Sequence, residues 1–322
     1  MSLSFLDKKI CVVADSNLTN PYFLEYLRSA FQAENKRVYL YNNGIPGARM
    51  DMVMNSIEEE TSVEKPDYVL LSFGANDLGI WLYDSTLEVT DEVLAERAAR
   101  NQSYLNAFET VVDYLRAKGV EPILLTPMCL DENLVELEDI KTDKDNKEKQ
   151  LIGNAFFKRK TFQNINDGLQ VLRDKGIEIA ERKGVAVWDI FTQTRARVDH
   201  SCFIEDGVHY NEKGHRIMAE LFYKHMFGAE LSDYPTPQSV KELTDLEADK
   251  RAYFFVKYNL IFLSEGRKEG EELVKAAQNF LDKKGYVEGM TKERAEGFFR
   301  FVQSPLDGQK TIVEKVKSLY EE

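Results

Sequence analysis

Five short apolar runs, each followed by a polar loop and mostly by an amphipathic stretch, narrow the folds open to this sequence more than any other feature. Residues 9–14 (KICVVA), 37–41 (RVYLY), 67–73 (DYVLLSF), 120–126 (VEPILLT) and 185–188 (VAVW) read as strands, being short and rich in β-branched or aromatic residues. Helical patterns lie near 21–34, 48–60, 90–118, 156–183 and 211–227. The first has Asn20 as cap and Pro21 at the first helical position, where the missing N–H is not needed. Strands separated by helices run parallel, and five of them imply an open sheet with helices on both faces. Ligands bind such sheets beyond the carboxyl ends of the strands, so the residues just after each strand are the ones to inspect.

The chain can fill such a fold. It has 322 residues, 43% of them hydrophobic and 30% charged, without long low-complexity tracts. A net charge of −13 disfavours nucleic acid or an anionic membrane as partner, because phosphate contacts need a basic surface. No uncharged apolar run approaches the roughly 18 residues needed to span a bilayer, and the N-terminus MSLSFLDKKI lacks the basic-then-apolar pattern of a signal peptide. The cysteines, Cys11, Cys129 and Cys202, are odd in number and far apart, with no CxxC pair. Together these features lead us to expect a reduced, cytoplasmic setting.

Two segments break the alternation. Residues 131–150 carry twelve charged residues in twenty, so the connection after the fourth strand reads either as a solvated loop or as a lid. Beyond Tyr234 the strands stop. A Pro-containing hinge (DYPTPQS) leads into helical segments at 237–264, 268–284, 291–303 and 305–321, with Thr291 and Ser304-Pro305 as starts. Phe255, Tyr258 and Phe262 follow helical spacing, as do Phe298, Phe301 and Val302, and Ile312, Val316 and Leu319; such stripes are more often core than ligand box. The expected division is a domain over 1–233 and a helical appendage over 234–322 that packs on the first domain or on another subunit, giving a homo-oligomer.

Four polar clusters fall near strand ends: Asp15-Ser16-Asn17, Asn43-Gly44-Ile45-Pro46-Gly47, Gly74-Ala75-Asn76-Asp77, and Asp206-Gly207-Val208-His209 before the last helix of the first domain. Each alone is also an ordinary turn or helix-start composition. Together they supply what acyl transfer requires. A serine becomes a useful nucleophile when an imidazole takes its proton, and a carboxylate fixes the imidazole tautomer; Ser16, His209 and Asp206 suit those parts. Donors aimed at the developing oxyanion complete the set, and Gly47 and Asn76 can supply them beside the Ser16 N–H.

The ordered blocks A-D-S-N, N-G-I-P-G, G-A-N-D and D-G-V-H resemble the SGNH hydrolases, also called the GDSL esterase and lipase family, over residues 9 to about 227. The resemblance implies a flavodoxin-like three-layer α/β/α sandwich with a five-stranded parallel sheet. It implies Ser16 as nucleophile, His209 as base and Asp206 as its orienting partner, with Ser16 N–H, Gly47 N–H and the Asn76 amide as the oxyanion hole. Gly47 is preferred to Gly44 because the family's glycine follows an N-x-G-x-x approach. Ala14 stands where the family pattern has glycine. N-E-K-G-H at 211–215 is similar to the family's helix start after the histidine.

The remaining residues point nowhere else. His200, His215 and His225 have no metal spacing and read as structural, no metal or other cofactor is expected, and the sequence lacks G-x-S-x-G, G-x-x-x-x-G-K-[ST] and G-x-G-x-x-G. Trp81 and Tyr83, leaving the oxyanion block, read as a platform for a sugar ring, as a wall for an acyl chain, or as plugs in the domain surface. The expected activity is hydrolysis of short-chain acyl esters, acetyl foremost, of a soluble carbohydrate or small metabolite, without cofactor. The same triad also suits an acyltransferase, and the altered first block suits a non-catalytic binding member of the family.

Overall fold

The computed structural model describes residues 3–19, 22–132, 162–204, 206–284, 298–299 and 301–321. Most of the charged 131–150 segment, together with Asn20, Pro21 and Thr291, therefore lies outside the described residues. Five strands form one parallel sheet: β1 (Lys9–Ala14), β2 (Tyr39–Asn42), β3 (Tyr68–Ser72), β4 (Glu121–Leu125) and β5 (Ala186–Trp188), in the order β2-β1-β3-β4-β5. This is the flavodoxin-like order, and its crossovers leave β1 and β3 diverging at the switch point where such sheets bind ligands.

The sequence period explains the two cores. Along β1, Cys11 and Val13 face one side with Val69 and Leu71 of β3, while Ile10, Val12 and Ala14 face the other with Leu70. The first side is covered by α3 (Val53–Ser62), α5 (Asp91–Ala117) and α6 (Ile165–Lys183). The second is covered by α2 (Tyr22–Ala33) and α8 (Glu212–Phe227), which pack on one another. Between β1 and α2 lies a single helical turn, α1 (Ser16–Thr19), that the sequence pattern did not announce. Among the described residues of this part, short helices also include α4 (Ala75–Leu78) and α7 (Ile190–Arg197).

One boundary differs from expectation. The helix expected from residue 156 runs, in its described part, only from Ile165, because Asn164 just before it takes a left-handed conformation (φ 57°).

The C-terminal region is helical, with α9 (Gln238–Phe254), α10 (Phe262–Glu265), α11 (Gly270–Lys284) and α12 (Pro305–Ser318). Where one continuous helix was expected over 237–264, residues Phe255–Ile261 are wound as a π-helix. Most of the expected stripes are core: Tyr258, Phe298, Phe301, Val302, Ile312, Val316 and Leu319 are buried in the cluster that includes the α3 and α5 face of the sheet, Phe255 packs half-buried against it, and Phe262 is half-buried. The region also covers the edge strand. Tyr320 donates to the Val38 carbonyl at 2.6 Å and sets its ring edge-on to Tyr39, which blunts an edge otherwise open to pairing.

Charged residues fasten α9 to the sheet from inside. Arg28 of α2 and Glu247 form a two-pronged ion pair at 2.8 Å for each contact, with both side chains 1% exposed. Glu247 also accepts the Asn42 N–H at 3.0 Å, at the end of β2. One turn on, the buried Lys250 donates to Asn43 and to the buried Glu64. Among the described residues, no helix is long and apolar enough to cross a membrane.

Candidate active site

Ser16 follows β1 by two residues and opens α1. The turn is organised by its neighbour: Asp15 accepts the Asn17 N–H on its side chain at 2.9 Å and the Leu18 N–H on its carbonyl. Ser16 therefore has its hydroxyl free of capping duty. Ala14 ends β1 in register with Ser72 and is not among the residues with positive φ, so a side chain is tolerated where the family pattern has glycine.

His209 reaches Ser16 from 193 residues away, its Nε2 lying 2.8 Å from Ser16 Oγ. Its other ring nitrogen, Nδ1, lies 2.5 Å from Asp206 Oδ2. The second carboxylate oxygen of Asp206 accepts the N–H groups of Val208 and His209 at 2.8 and 2.9 Å. The segment is a tight reversal: Phe203 pairs with Tyr210, and Ile204 N–H donates to the His209 carbonyl. Asn211 then caps α8 by accepting the Gly214 N–H, as the N-E-K-G-H motif led us to expect.

The electrostatics follow from these contacts. Burial pushes the Asp206 carboxyl up, but the hydrogen bond and charge of His209 and two backbone N–H groups outweigh it and hold the carboxyl below its ordinary value. Burial likewise pushes His209 down, and the bond to Asp206, its charge and the charge of Asp15 outweigh that and raise it above 6.5. With Asp206 ionised, the neutral imidazole carries its proton on Nδ1 and presents Nε2 as an acceptor to the Ser16 hydroxyl.

Three N–H donors border the serine side of the sheet. The backbone N–H groups of Ser16 and Gly47 have no acceptor among the described residues. The Gly44 N–H, by contrast, is taken by the Asn42 side chain at 3.0 Å, so of the two glycines only Gly47 keeps a donor to offer. Gly47 takes φ 73°, a conformation that favours glycine. Asn76 uses one amide hydrogen on the Ala48 carbonyl at 3.2 Å, which aims its side chain along the Gly47 loop and leaves the other hydrogen. Gly74, before it, has no room for a Cβ, which would meet Pro127 at 2.7 Å. The next residue, Asp77, closes the G-A-N-D block, and the sequence assigns it no role. Buried, with its carboxyl pushed up to about 8, it accepts the Met50 N–H at 2.7 Å and so ties the two loops together.

The two aromatics part company. Trp81 is 48% exposed with the Arg100 guanidinium 4.6 Å over its ring. Tyr83 is 4% exposed, under Arg97 and against Gly168, so it faces the interior rather than an open cleft. Of the other histidines, His215 is buried against Phe23 and Tyr22, with its pKa lowered to about 4 by burial. His225 stacks on Trp188, and His200 faces Asp131 at 2.6 Å.

A family model described as GDSL-like lipase/acylhydrolase matches residues 10–222. The chain belongs to this family. As a GDSL-like acylhydrolase it is a carboxylic ester hydrolase, and its five-stranded parallel sheet flanked by helices matches solved structures in fold. A gut microbial diltiazem-metabolizing enzyme, 12% identical, superposes with a TM-score of 0.70 over 100% of this hydrolase and 96% of its own chain. Axe2, an acetylxylan esterase from Geobacillus stearothermophilus, is 18% identical with a TM-score of 0.50, spanning 72% of this chain and 99% of its own. Among curated proteins, none matches the GDSL-like hydrolase in sequence.

Proposed function

We propose that this acylhydrolase is a serine esterase that cleaves short-chain acyl esters, acetyl foremost, of a soluble carbohydrate or small metabolite through an acyl-enzyme. The observation that carries the reading is the unbroken line Ser16 Oγ, His209 Nε2, His209 Nδ1, Asp206 Oδ2 at 2.8 and 2.5 Å. Ser16 attacks the ester carbonyl while His209 takes its proton. The oxyanion forms against the N–H groups of Ser16 and Gly47 and the Asn76 amide. His209 returns the proton to the leaving alcohol, and water then repeats the sequence in reverse roles. A binding protein has no chemical use for this line, which weighs against the non-catalytic alternative. Axe2 acts on acetylated xylan by name, which supports an acetyl group on a sugar. Exposed Trp81 offers a face on which a sugar ring can stack.

The substrate class is tested with a p-nitrophenyl ester series run beside acetylated xylo-oligosaccharides. The expected outcome is a kcat/KM that is highest for acetate, falls with each lengthening of the acyl chain, and is accompanied by release of free acetate from the oligosaccharides. A preference for octanoate over acetate, or acetate appearing only on an added acceptor alcohol, contradicts the reading.

The pH dependence follows from the direction of the His209 shift. Only the neutral imidazole accepts the Ser16 proton, so kcat/KM rises with pH through a midpoint above 6.5. Asp206→Asn removes the Asp206 charge, leaving only that of Asp15 to raise His209, so its residual activity rises through a lower midpoint. A stopped-rate profile of both proteins on p-nitrophenyl acetate checks this; a midpoint that stays put in the variant contradicts it.

A further inference from the structure

The helical C-terminal region touches the Gly47 loop at three points. Glu247 accepts the Asn42 N–H, Lys250 donates to the Asn43 side chain, and Asn259, on the π-wound turn, donates its side-chain amide to the Pro46 carbonyl. The π turn is itself clamped. Tyr253, Lys257 and Tyr258 all donate to Glu59 of α3. π-wound turns inside helices are rare and occur frequently at functional sites.

The Asn259 contact has a consequence for the peptide it grips. No peptide bond among the described residues is cis, and in a planar trans peptide the carbonyl and the following N–H point in opposite directions. The Pro46 carbonyl and the Gly47 N–H belong to the same peptide. A donor that fixes the first on one side therefore fixes the second on the other. Gly47, at φ 73° and without a side chain, has little of its own to prevent that peptide from turning over. A Cβ built on Gly47 would lie 3.3 Å from the Asn259 amide nitrogen, so that amide sits beside the bare Cα of Gly47 as well as on the Pro46 carbonyl.

We propose that Asn259 is a positioning residue for the oxyanion hole, holding the Pro46–Gly47 peptide so that the Gly47 N–H faces the oxygen that develops charge. This rests on the serine esterase reading and on Gly47 as one of its donors. It makes the C-terminal helices part of the catalytic apparatus rather than a detachable partner module.

The test uses the full chain and Asn259→Asp, which keeps the shape and removes the donor, with Asn259→Leu as a second variant. Acetyl ester turnover and inhibition by a small alkylboronic acid, which forms a tetrahedral serine adduct, are both measured. A fully formed donor is worth about 100- to 1000-fold in rate. Misaiming one lowers kcat by about 10- to 100-fold with KM within about twofold, and weakens the boronic acid by a matching factor. Both variants keep the wild-type circular dichroism spectrum. If a folded Asn259→Asp protein retains wild-type kcat and boronate affinity while Ser16→Ala and Asn76→Ala are inactive, the role of Asn259 is wrong and the esterase reading stands. If Ser16→Ala and Asn76→Ala also match wild type, the esterase reading itself has failed and the inference falls with it. A rise in KM at constant kcat overturns the inference as well, since it would mark loss of substrate binding instead of oxyanion alignment.

Discussion

Replacing Ser16 with alanine lowers turnover of p-nitrophenyl acetate by about 10⁴- to 10⁶-fold while the fold and thermal midpoint stay as in the wild type. His209→Ala has nearly the same effect, and the double variant is no worse than either single one, because the two act in one proton transfer. The fold is expected to survive because Ser16 Oγ has His209 as its partner, while the turn is held by Asp15, whose bonds to Asn17 and Leu18 do not involve the serine side chain. Whatever activity remains reflects donors that still bind the developing oxyanion. A Ser16→Ala protein that turns over at the wild-type rate would show that another group does the chemistry.

The largest stability effect belongs to a residue far from Ser16 in sequence. Glu247→Ala leaves Arg28 buried without its counter-charge and the Asn42 N–H without its acceptor, and lowers unfolding free energy by about 3–5 kcal/mol. The paired change Arg28→Met with Glu247→Leu restores part of this, since the uncompensated charge is gone while the Asn42 N–H and the Leu40 carbonyl still lack these partners. Burial raises the Glu247 carboxyl, but the charge and bonds of Arg28, then Lys250 and Asn42, outweigh it and hold it below 4.5. A group depressed in the folded state contributes fully above its unfolded value and loses that contribution as pH falls through the folded one, so the pair is weakened only in acid. Urea unfolding at pH 7 checks the prediction; a loss under 1 kcal/mol would mean that water reaches Arg28 once the carboxylate is gone.

These two residues mark what the sequence made legible. Ser16, Asn76, Asp206 and His209 sit just after strands or just before a helix, where the topology of a parallel sheet already says to look. The strand positions needed only short apolar runs. Glu247, Lys250 and Asn259 carry no such local mark. In a helix of mixed composition a glutamate or lysine reads as solvated, and only the fold brings Glu247 to an arginine 219 positions earlier. The π turn is hidden for the same reason, because nothing in the residue types of Phe255–Ile261 marks a local i→i+5 winding apart from the α-helix that leads into it. In the sequence Gly47 is preferred to Gly44 on resemblance alone, and the physical difference between them, the Asn42 side chain on the Gly44 N–H, appears only in the fold. Tyr83 faced inward because Gly168 on α6 leaves room for its ring, which no pattern around residue 83 could reveal.

The most direct measurement traps the acyl-enzyme. The wild-type protein, mixed with p-nitrophenyl acetate and quenched in acid within its first turnovers, is digested and its peptides are weighed. The account predicts one added acetyl group on the peptide carrying Ser16, absent from Ser16→Ala and accumulating longer in Asp206→Asn, whose deacylation is slow. Acetate released with no acetyl on that peptide, or an acetyl found on another residue, would contradict the account.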